Sequence, residues 1–282
     1  MRYTRMHGAG NTFLVTEDPH TALTGEELSL LARRLCDART GPGADGLIVL
    51  RPGGPSADLA MLFYNADGSL GEMCGNGARC VARYAWEHGL APDPERIRIR
   101  ATAGLVTGRR LSRERYQVRL NEPSVLELRR EVEAAGRRFV CGYVELGEPG
   151  LPHAVVEAAP EELDDPARLR PLGRALRYCA AFPKGANVSF YTLTGPASVR
   201  AITFERGVED FTPACGTGCG AMALSLLLSS RVAGDELTVD MPGGQLRVEL
   251  RRDGEAVRDL LLTGPTAVVG VFDPDDPLPF RP

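Results

Sequence analysis

Met73-Cys74-Gly75-Asn76-Gly77-Ala78-Arg79-Cys80 and Ala214-Cys215-Gly216-Thr217-Gly218-Cys219-Gly220 are two versions of one phrase. Each sets a cysteine ahead of a Gly-x-Gly turn, and a helix-like run follows each, at 78–88 and at 221–231. The first N–H groups of a helix lack intrahelical acceptors and carry partial positive charge. A cysteine placed there tends toward a lowered pKa and availability as thiolate. The glycines let backbone N–H groups come close to a bound carboxylate. Each copy is therefore expected to form half of a site for an acid, with a reactive sulfur beside it.

The repetition extends outward from the cysteines. A strand-like run at 59–64 precedes the first copy and another at 199–204 precedes the second. Phe63 lies eleven residues before Cys74, and Phe204 eleven before Cys215. After the helices come two strand–turn–strand patterns, turning at 103–104 and at 242–244. A repeat of about half the chain points to a duplicated domain rather than a solenoid. Thr24-x-x-Glu27 is a capping box opening a helix with Leu28, Leu31 and Leu35 on one face, and 166–178 is its counterpart in the second half. Asn121-Glu122-Pro123 marks a boundary. Strands dominate, with one or two helices per half, so the expected class is α+β.

The chain has 282 residues, enough for two domains with sizeable cores. A net charge of −4 gives no global pull toward nucleic acid or an anionic membrane, and the Arg pairs read as solvated faces. No apolar run is long enough to span a bilayer, and 1–10 lacks the apolar core of a signal peptide; a cytoplasmic location is expected. Seven cysteines make an odd number, which argues against a disulfide framework. The spacings Cys74/Cys80 and Cys215/Cys219 do not suit zinc, so no metal is expected. Cys36, Cys141 and Cys179 read as buried small hydrophobes. Lys184 is the one lysine and thus the one candidate for a Schiff base; no phosphate-binding fingerprint accompanies it, and no cofactor is expected.

Two thiols at two anion-binding helix starts suit proton transfer at a carbon stereocentre. One thiolate removes the α-proton from one face while one thiol delivers a proton to the other, and the roles exchange in reverse. The helix starts hold the carboxylate on which negative charge builds. A cysteine hydrolase would use one nucleophile with His153 as base and would leave the second motif unexplained. The residues thus point to a cofactor-independent amino-acid racemase or epimerase.

The chain resembles diaminopimelate epimerase. The motifs that carry the likeness are Met6-His7-Gly8-Ala9-Gly10-Asn11, Gly43-Ala44-Asp45-Gly46, Asn65-Ala66-Asp67-Gly68-Ser69, the two cysteine phrases and Glu205-Arg206-Gly207. The resemblance implies two pseudo-symmetric domains, each a small strand-rich sheet or barrel wrapped around a central helix. The first spans 1–120, carries Cys74 and is completed by a strand from 266–282; the second spans 121–265 and carries Cys215. The resemblance further implies LL- to meso-diaminopimelate epimerisation in lysine and peptidoglycan precursor synthesis, without cofactor, by a homodimer. Cys74 and Cys215 would be the acid/base pair. Gly75, Asn76, Gly216 and Thr217 would hold the α-carboxylate. Asn11, Asn65, Asn187, Glu205 and Arg206 would bind the rest of the substrate, Arg206 taking the distal carboxylate, with His153 in support. Thr12, Gly46 and Leu151 depart from residues found in many members, Gly46 and Leu151 standing where others have a binding Gln and Asn. A racemase of another amino acid such as histidine, or an inactive amino-acid-binding homologue, therefore stays open.

Overall fold

The computed structural model describes residues 2–71, 73–254 and 256–273. The chain divides into two compact units, Met1–Val118 with Gly264–Pro282, and Arg119–Thr263. In chain order the first unit has β1 (Tyr3–Gly8), β2 (Asn11–Glu17), α1 (Gly25–Cys36), β3 (Gly46–Pro52), β4 (Leu59–Asn65), α2 (Gly75–Glu87), β5 (Ile97–Ala101) and β6 (Gly104–Arg110). Strand β7 (Arg115–Leu120) leads out of it. The second unit has β8 (Pro123–Ala134), β9 (Arg137–Leu146), β10 (Leu151–Glu157), α3 (Pro160–Asp164), α4 (Pro166–Arg177), β11 (Asn187–Gly195) and β12 (Ser198–Phe204). It continues with β13 (Phe211–Thr212), α5 (Gly216–Leu228), β14 (Glu236–Met241), β15 (Gly244–Asp253) and β16 (Ala256–Pro265). Strand β17 (Ala267–Phe272) then pairs with β1 of the first unit. The rest of the expected strand, 274–282, lies outside the described residues.

The two units share one order of pairings. In the first, β1–β2 is antiparallel, β2–β3 parallel, β3–β4 antiparallel, β4–β5 parallel and β5–β6 antiparallel. In the second, β9–β10, β10–β11, β11–β12, β12–β14 and β14–β15 repeat that alternation. Each parallel step needs a crossover, and helices supply them. The last hairpins match in register, Ala101 opposite Gly104 and Met241 opposite Gly244, with both glycines at positive φ (114° and 134°). The class is α+β, as the sequence suggests.

One helix of each unit is enclosed by its strands. Helix α5 is apolar on nearly every side and buried from Gly216 to Leu227, as a helix without a solvent face must be. Helix α2 is buried from Gly75 to Ala85 although it carries Arg79 and Arg83. Arg83 meets its burial by pairing with Glu87 at 2.9 Å and donating to the Thr266 carbonyl at 2.7 Å. The outer helices are amphipathic. Leu28, Ala32 and Leu35 of α1 pack with Leu14, Leu47 and Val49, and Leu172 and Leu176 of α4 pack with Phe190 and Phe204.

Three local expectations change. Helices α2 and α5 begin at Gly75 and Gly216, so the Gly-x-Gly is their first turn and not a separate one. Strand β8 runs through 123–134, a Glu- and Arg-rich stretch for which the sequence suggests no element; long charged side chains are poor strand signals, yet β9 pairs along it, with Arg129, Glu131 and Glu133 exposed and Arg130 laid over the Tyr143 ring. Cys179 is half-buried rather than buried, its sulfur directed at the Glu133 carbonyl, whereas Cys36 and Cys141 are buried with thiols pushed up to about 12 and about 11 by desolvation.

The capping box of α1 is formed: Thr24 accepts from the Glu27 N–H at 3.3 Å and Glu27 accepts from the Thr24 N–H at 2.7 Å. Thr24→Ala leaves the Glu27 N–H without its acceptor, at a cost of about 1 kcal/mol. Calorimetry should show Tm lowered by roughly 2–4 °C; an unchanged Tm would mean that the box adds nothing to the fold.

Candidate active site

The sulfurs themselves cap the enclosed helices. Cys74 is the N-cap of α2 with extended backbone (φ −132°, ψ 109°), and its Sγ accepts the Gly77 N–H at 3.4 Å. Cys215 caps α5 in the same way (φ −121°, ψ 104°), accepting the Gly218 N–H at 3.4 Å. This is the place a Ser or Asp oxygen ordinarily fills. The N–H groups of Gly75 and Asn76, and of Gly216 and Thr217, belong to the first turns, where helix geometry provides no intrahelical acceptor. Glycine is needed under the sulfur: a Cβ at Gly218 would lie 2.9 Å from Ser189 Oγ and 3.2 Å from Cys215 Sγ.

In the first unit the hairpin β1–β2 sits on the start of α2. Its turn is Ala9-Gly10, both at positive φ, which places Asn11 first in β2. A Cβ at Gly8 would come within 2.8 Å of the Asn76 carbonyl oxygen, so a bare glycine allows the approach. There Asn76 Nδ2 donates to Asn11 Oδ1. Arg79, fully buried, donates through Nη2 to Asn76 Oδ1 at 2.8 Å and through Nη1 to the Gly75 carbonyl at 3.4 Å. Asn65 ends β4, and its Nδ2 donates to Ser69 Oγ at 2.9 Å within the 65–69 turn. Gly46 has no room for a side chain: a Cβ would fall 2.4 Å from the Phe63 ring.

In the second unit the surroundings of the sulfur differ. Cys215 is 6% exposed, whereas Cys74 is half-buried. Burial pushes the Cys215 thiol well above its ordinary value of 9.0, and the Glu205 carboxylate pushes the same way; the Thr217 hydroxyl and the Gly218 N–H pull it back only in part. The expected lowering by the helix start is thus outweighed at Cys215 by loss of solvent. Glu205 accepts from Thr212 Oγ1 at 2.6 Å, and the Cys215 N–H donates to Met241 Sδ at 3.4 Å. Asn187 Oδ1 accepts the Arg206 N–H at 2.7 Å, and Arg206 Nη1 reaches the Lys184 carbonyl at 3.4 Å. His153 stands opposite Asn187 in the β10–β11 register. It is fully buried, and neither ring nitrogen has a hydrogen-bond partner among the described residues. Burial, reinforced by the Arg206 charge, presses its pKa from 6.5 to about 3, so the ring is neutral.

The structure therefore gathers Asn11, Cys74, Gly75 and Asn76 in one group, and Asn187, Glu205, Arg206, Cys215, Gly216 and Thr217 in another with His153 adjoining. Asn65 serves its own turn. Lys184 Nζ is held by Glu145 Oε2 at 2.6 Å. Among the described residues no three His, Cys, Asp or Glu side chains cluster as a metal site requires. Sequence reasoning passed over Arg79, Thr212 and Met241. For Arg79 a signal existed, since it falls three residues after Asn76 and so shares its helix face; Met241 is brought in by the β14 strand and has none.

The description "diaminopimelate epimerase" belongs to a family whose sequence model matches residues 3–124 and 148–269. The chain is a member of the diaminopimelate epimerase family. It is 37% identical to the diaminopimelate epimerase of Desulforudis audaxviator, covering 95% of this chain and 97% of that one. It is 33% identical to that of Aquifex aeolicus, covering 97% and 96%. As an enzyme of this family it is an isomerase. Two solved structures share the fold at lower identity. One is a probable proline racemase from Agrobacterium radiobacter (TM-score 0.71, 20% identity, 98% of this chain and 94% of that one). The other is a phenazine biosynthesis protein from Bacillus anthracis (TM-score 0.73, 16% identity, 96% and 98%).

The buried neutral His153 makes a pH prediction. Its folded pKa of about 3 lies below the ordinary 6.5, so as pH falls below 6.5 the unfolded chain takes a proton that the folded chain refuses. Stability is lost progressively from pH 6.5 toward 3. Urea unfolding between pH 7.5 and 4.5 should show a steeper loss for the native chain than for His153→Gln. Parallel curves would show that the imidazole is not held neutral in the fold.

Proposed function

We propose that this isomerase interconverts LL- and meso-diaminopimelate by two-base proton transfer between Cys74, Cys215 and one α-carbon. The observation that supports it most directly is the matched pair of sulfur-capped helix starts in two units of one topology. In one direction Cys74 starts as the base and Cys215 as the acid, whose proton its buried surroundings favour. The Cys74 thiolate takes the α-hydrogen as a proton; the bonding pair stays on carbon and spreads into the α-carboxylate. The Cys215 S–H then protonates the opposite face, which leaves Cys74 as thiol and Cys215 as thiolate. The reverse direction runs from that state. The first-turn N–H groups of Gly75, Asn76, Gly216 and Thr217 hold the α-carboxylate and stabilise its added charge. Asn11, Asn65, Asn187 and Glu205 bind the remainder of the substrate, Arg206 takes the distal carboxylate as a fork, and His153 supports the second thiol.

The thiols do the work a cofactor would otherwise do, and the Lys184 amine is engaged in an ion pair with Glu145. Among the described residues no helix is long and apolar enough to cross a membrane; the reading places the enzyme in the cytoplasm, in the synthesis of lysine and peptidoglycan precursors. It acts as a homodimer, in keeping with exposed Val268, Val269 and Val271 on β17 (40%, 51% and 54%). One observation favours a second reading: Phe63 fills the space at Gly46, so a binding side chain is absent there. The same chemistry on another amino acid follows if that contact decides the substrate.

Cys74→Ser and Cys215→Ser separate these ideas from single-base chemistry. Each hydroxyl is nearly isosteric with the thiol but a far poorer acid–base group, so each variant should lose epimerisation by roughly 10²-fold or more. Each should keep α-proton exchange with one stereoisomer, and the two should prefer opposite isomers. One dead variant beside one near-normal variant would sink the two-base reading. With the unaltered enzyme, solvent deuterium should enter Cα of diaminopimelate; exchange confined to histidine or another monocarboxylic amino acid would keep the mechanism and move the substrate.

Lys184→Arg preserves the ion pair with Glu145 and removes the one amine able to form a Schiff base. Its turnover should match the parent within about threefold, as for a substitution outside the reacting groups. Loss of turnover with the fold intact would bring lysine chemistry back.

A further inference from the structure

Arg79 is 0% exposed and lies in the second turn of α2, close to the positive end of the helix. A cation there gains nothing from the dipole and loses its water. Its Nη2 donates to Asn76 Oδ1 at 2.8 Å and its Nη1 to the Gly75 carbonyl at 3.4 Å, and Asn76 Nδ2 donates in turn to Asn11 Oδ1. Two facing amides can pair either way round, because the flipped forms are nearly isosteric. A guanidinium, however, has donors and no acceptor. Its neighbour on Asn76 must be the oxygen, so the Asn76 NH2 points on toward Asn11. The Asn11 atom facing that NH2 must then be its oxygen, which turns the Asn11 NH2 outward from the pair.

The second unit supplies the comparison. Counting from the cysteine, Thr217 takes the place of Asn76 and Gly220 the place of Arg79. A hydroxyl rotates to donate or accept as required and needs no orienting partner. Where the amide is gone, the arginine is gone, and Leu120, Leu146 and Leu260 approach Gly220 instead.

We infer that Arg79 is a positioning residue that sets the polarity of the Asn76–Asn11 pair, so that Asn11 offers a donor and the ligand group it takes is an anionic oxygen such as a carboxylate. This rests on the proposed reading for the identity of the ligand, but not for the polarity itself.

The test uses the full chain with Arg79→Met, Arg79→Lys and Asn76→Asp. Asparagine side chains are labelled with nitrogen-15, and the Asn11 and Asn76 amide resonances are assigned by their loss on replacement. In the ligand-free protein, Arg79→Met should shift the Asn11 side-chain resonances and Arg79→Lys should restore them. In turnover of diaminopimelate, Arg79→Met should raise KM by about tenfold or more with a smaller change in kcat, as when a donor to a charged group is lost. Arg79→Lys should stay within a few-fold. Asn76→Asp keeps an acceptor for Arg79 but has no donor for Asn11, so it should raise KM likewise, which a purely structural role for Arg79 would not require. A folded Arg79→Met with native KM and unmoved Asn11 resonances would overturn the inference. If Arg79→Met fails to fold by circular dichroism, Asn76→Asp with native KM overturns it instead. No turnover of diaminopimelate by the unaltered enzyme would defeat the functional reading, and the ligand-free resonances would still decide the polarity.

Discussion

A helix start must satisfy its first N–H groups, and here a sulfur atom satisfies one of them twice over. The contacts from Gly77 N–H to Cys74 and from Gly218 N–H to Cys215 are each 3.4 Å long. They seat each thiol at its helix start, beside first-turn donors for which the helix has no acceptor. Around that constraint the rest of each unit is arranged. Strands enclose α2 and α5, so neither helix has a solvent face, and the glycines at 8, 77 and 218 clear the space that the caps and their neighbours occupy. The same alternation of parallel and antiparallel pairings recurs in both units because each must build the same enclosure.

Within that common scaffold the electrostatics diverge. Cys215 is buried near Glu205, and both effects hold its proton. In the first unit the buried Asn76 amide pairs with Asn11 and takes a hydrogen bond from buried Arg79. Proton transfer in two directions needs groups of the same chemistry, but at any moment one must be charged and the other neutral. Unequal surroundings for equal side chains are one way to start from a defined state. His153, kept neutral by burial, adds no charge to the second group.

The duplication was legible in sequence because its marks are local: the Cys-Gly phrases, the eleven-residue spacing from Phe63 and Phe204, and the hairpins that follow each helix. The capping box at Thr24 was legible for the same reason. What could not be read depends on residues distant in the chain. Asn76 meets Asn11 across 65 positions, and Cys215 meets Met241 across 26. Strand β8 was hidden because its Glu and Arg residues carry no strand propensity; pairing with β9 overrides composition there. The Cys215 shift runs against the expectation from a helix start, which taken alone stabilises a thiolate. Burial is a property of the whole unit, and at Cys215 it is the larger effect.

The central claim is that two thiols serve one α-carbon from opposite faces, and isotope flow at early times reads it most directly. The unaltered enzyme is given LL-diaminopimelate in deuterium oxide, and the reaction is stopped while most substrate remains. Two bases predict that the meso product carries one solvent deuterium at the inverted carbon while recovered LL substrate carries almost none. The deuteron comes from the thiol on one face, and the abstracted proton departs with the other. Product that retains the original hydrogen, or recovered substrate as deuterated as the product, would mean that a single group works both faces, and would contradict the account.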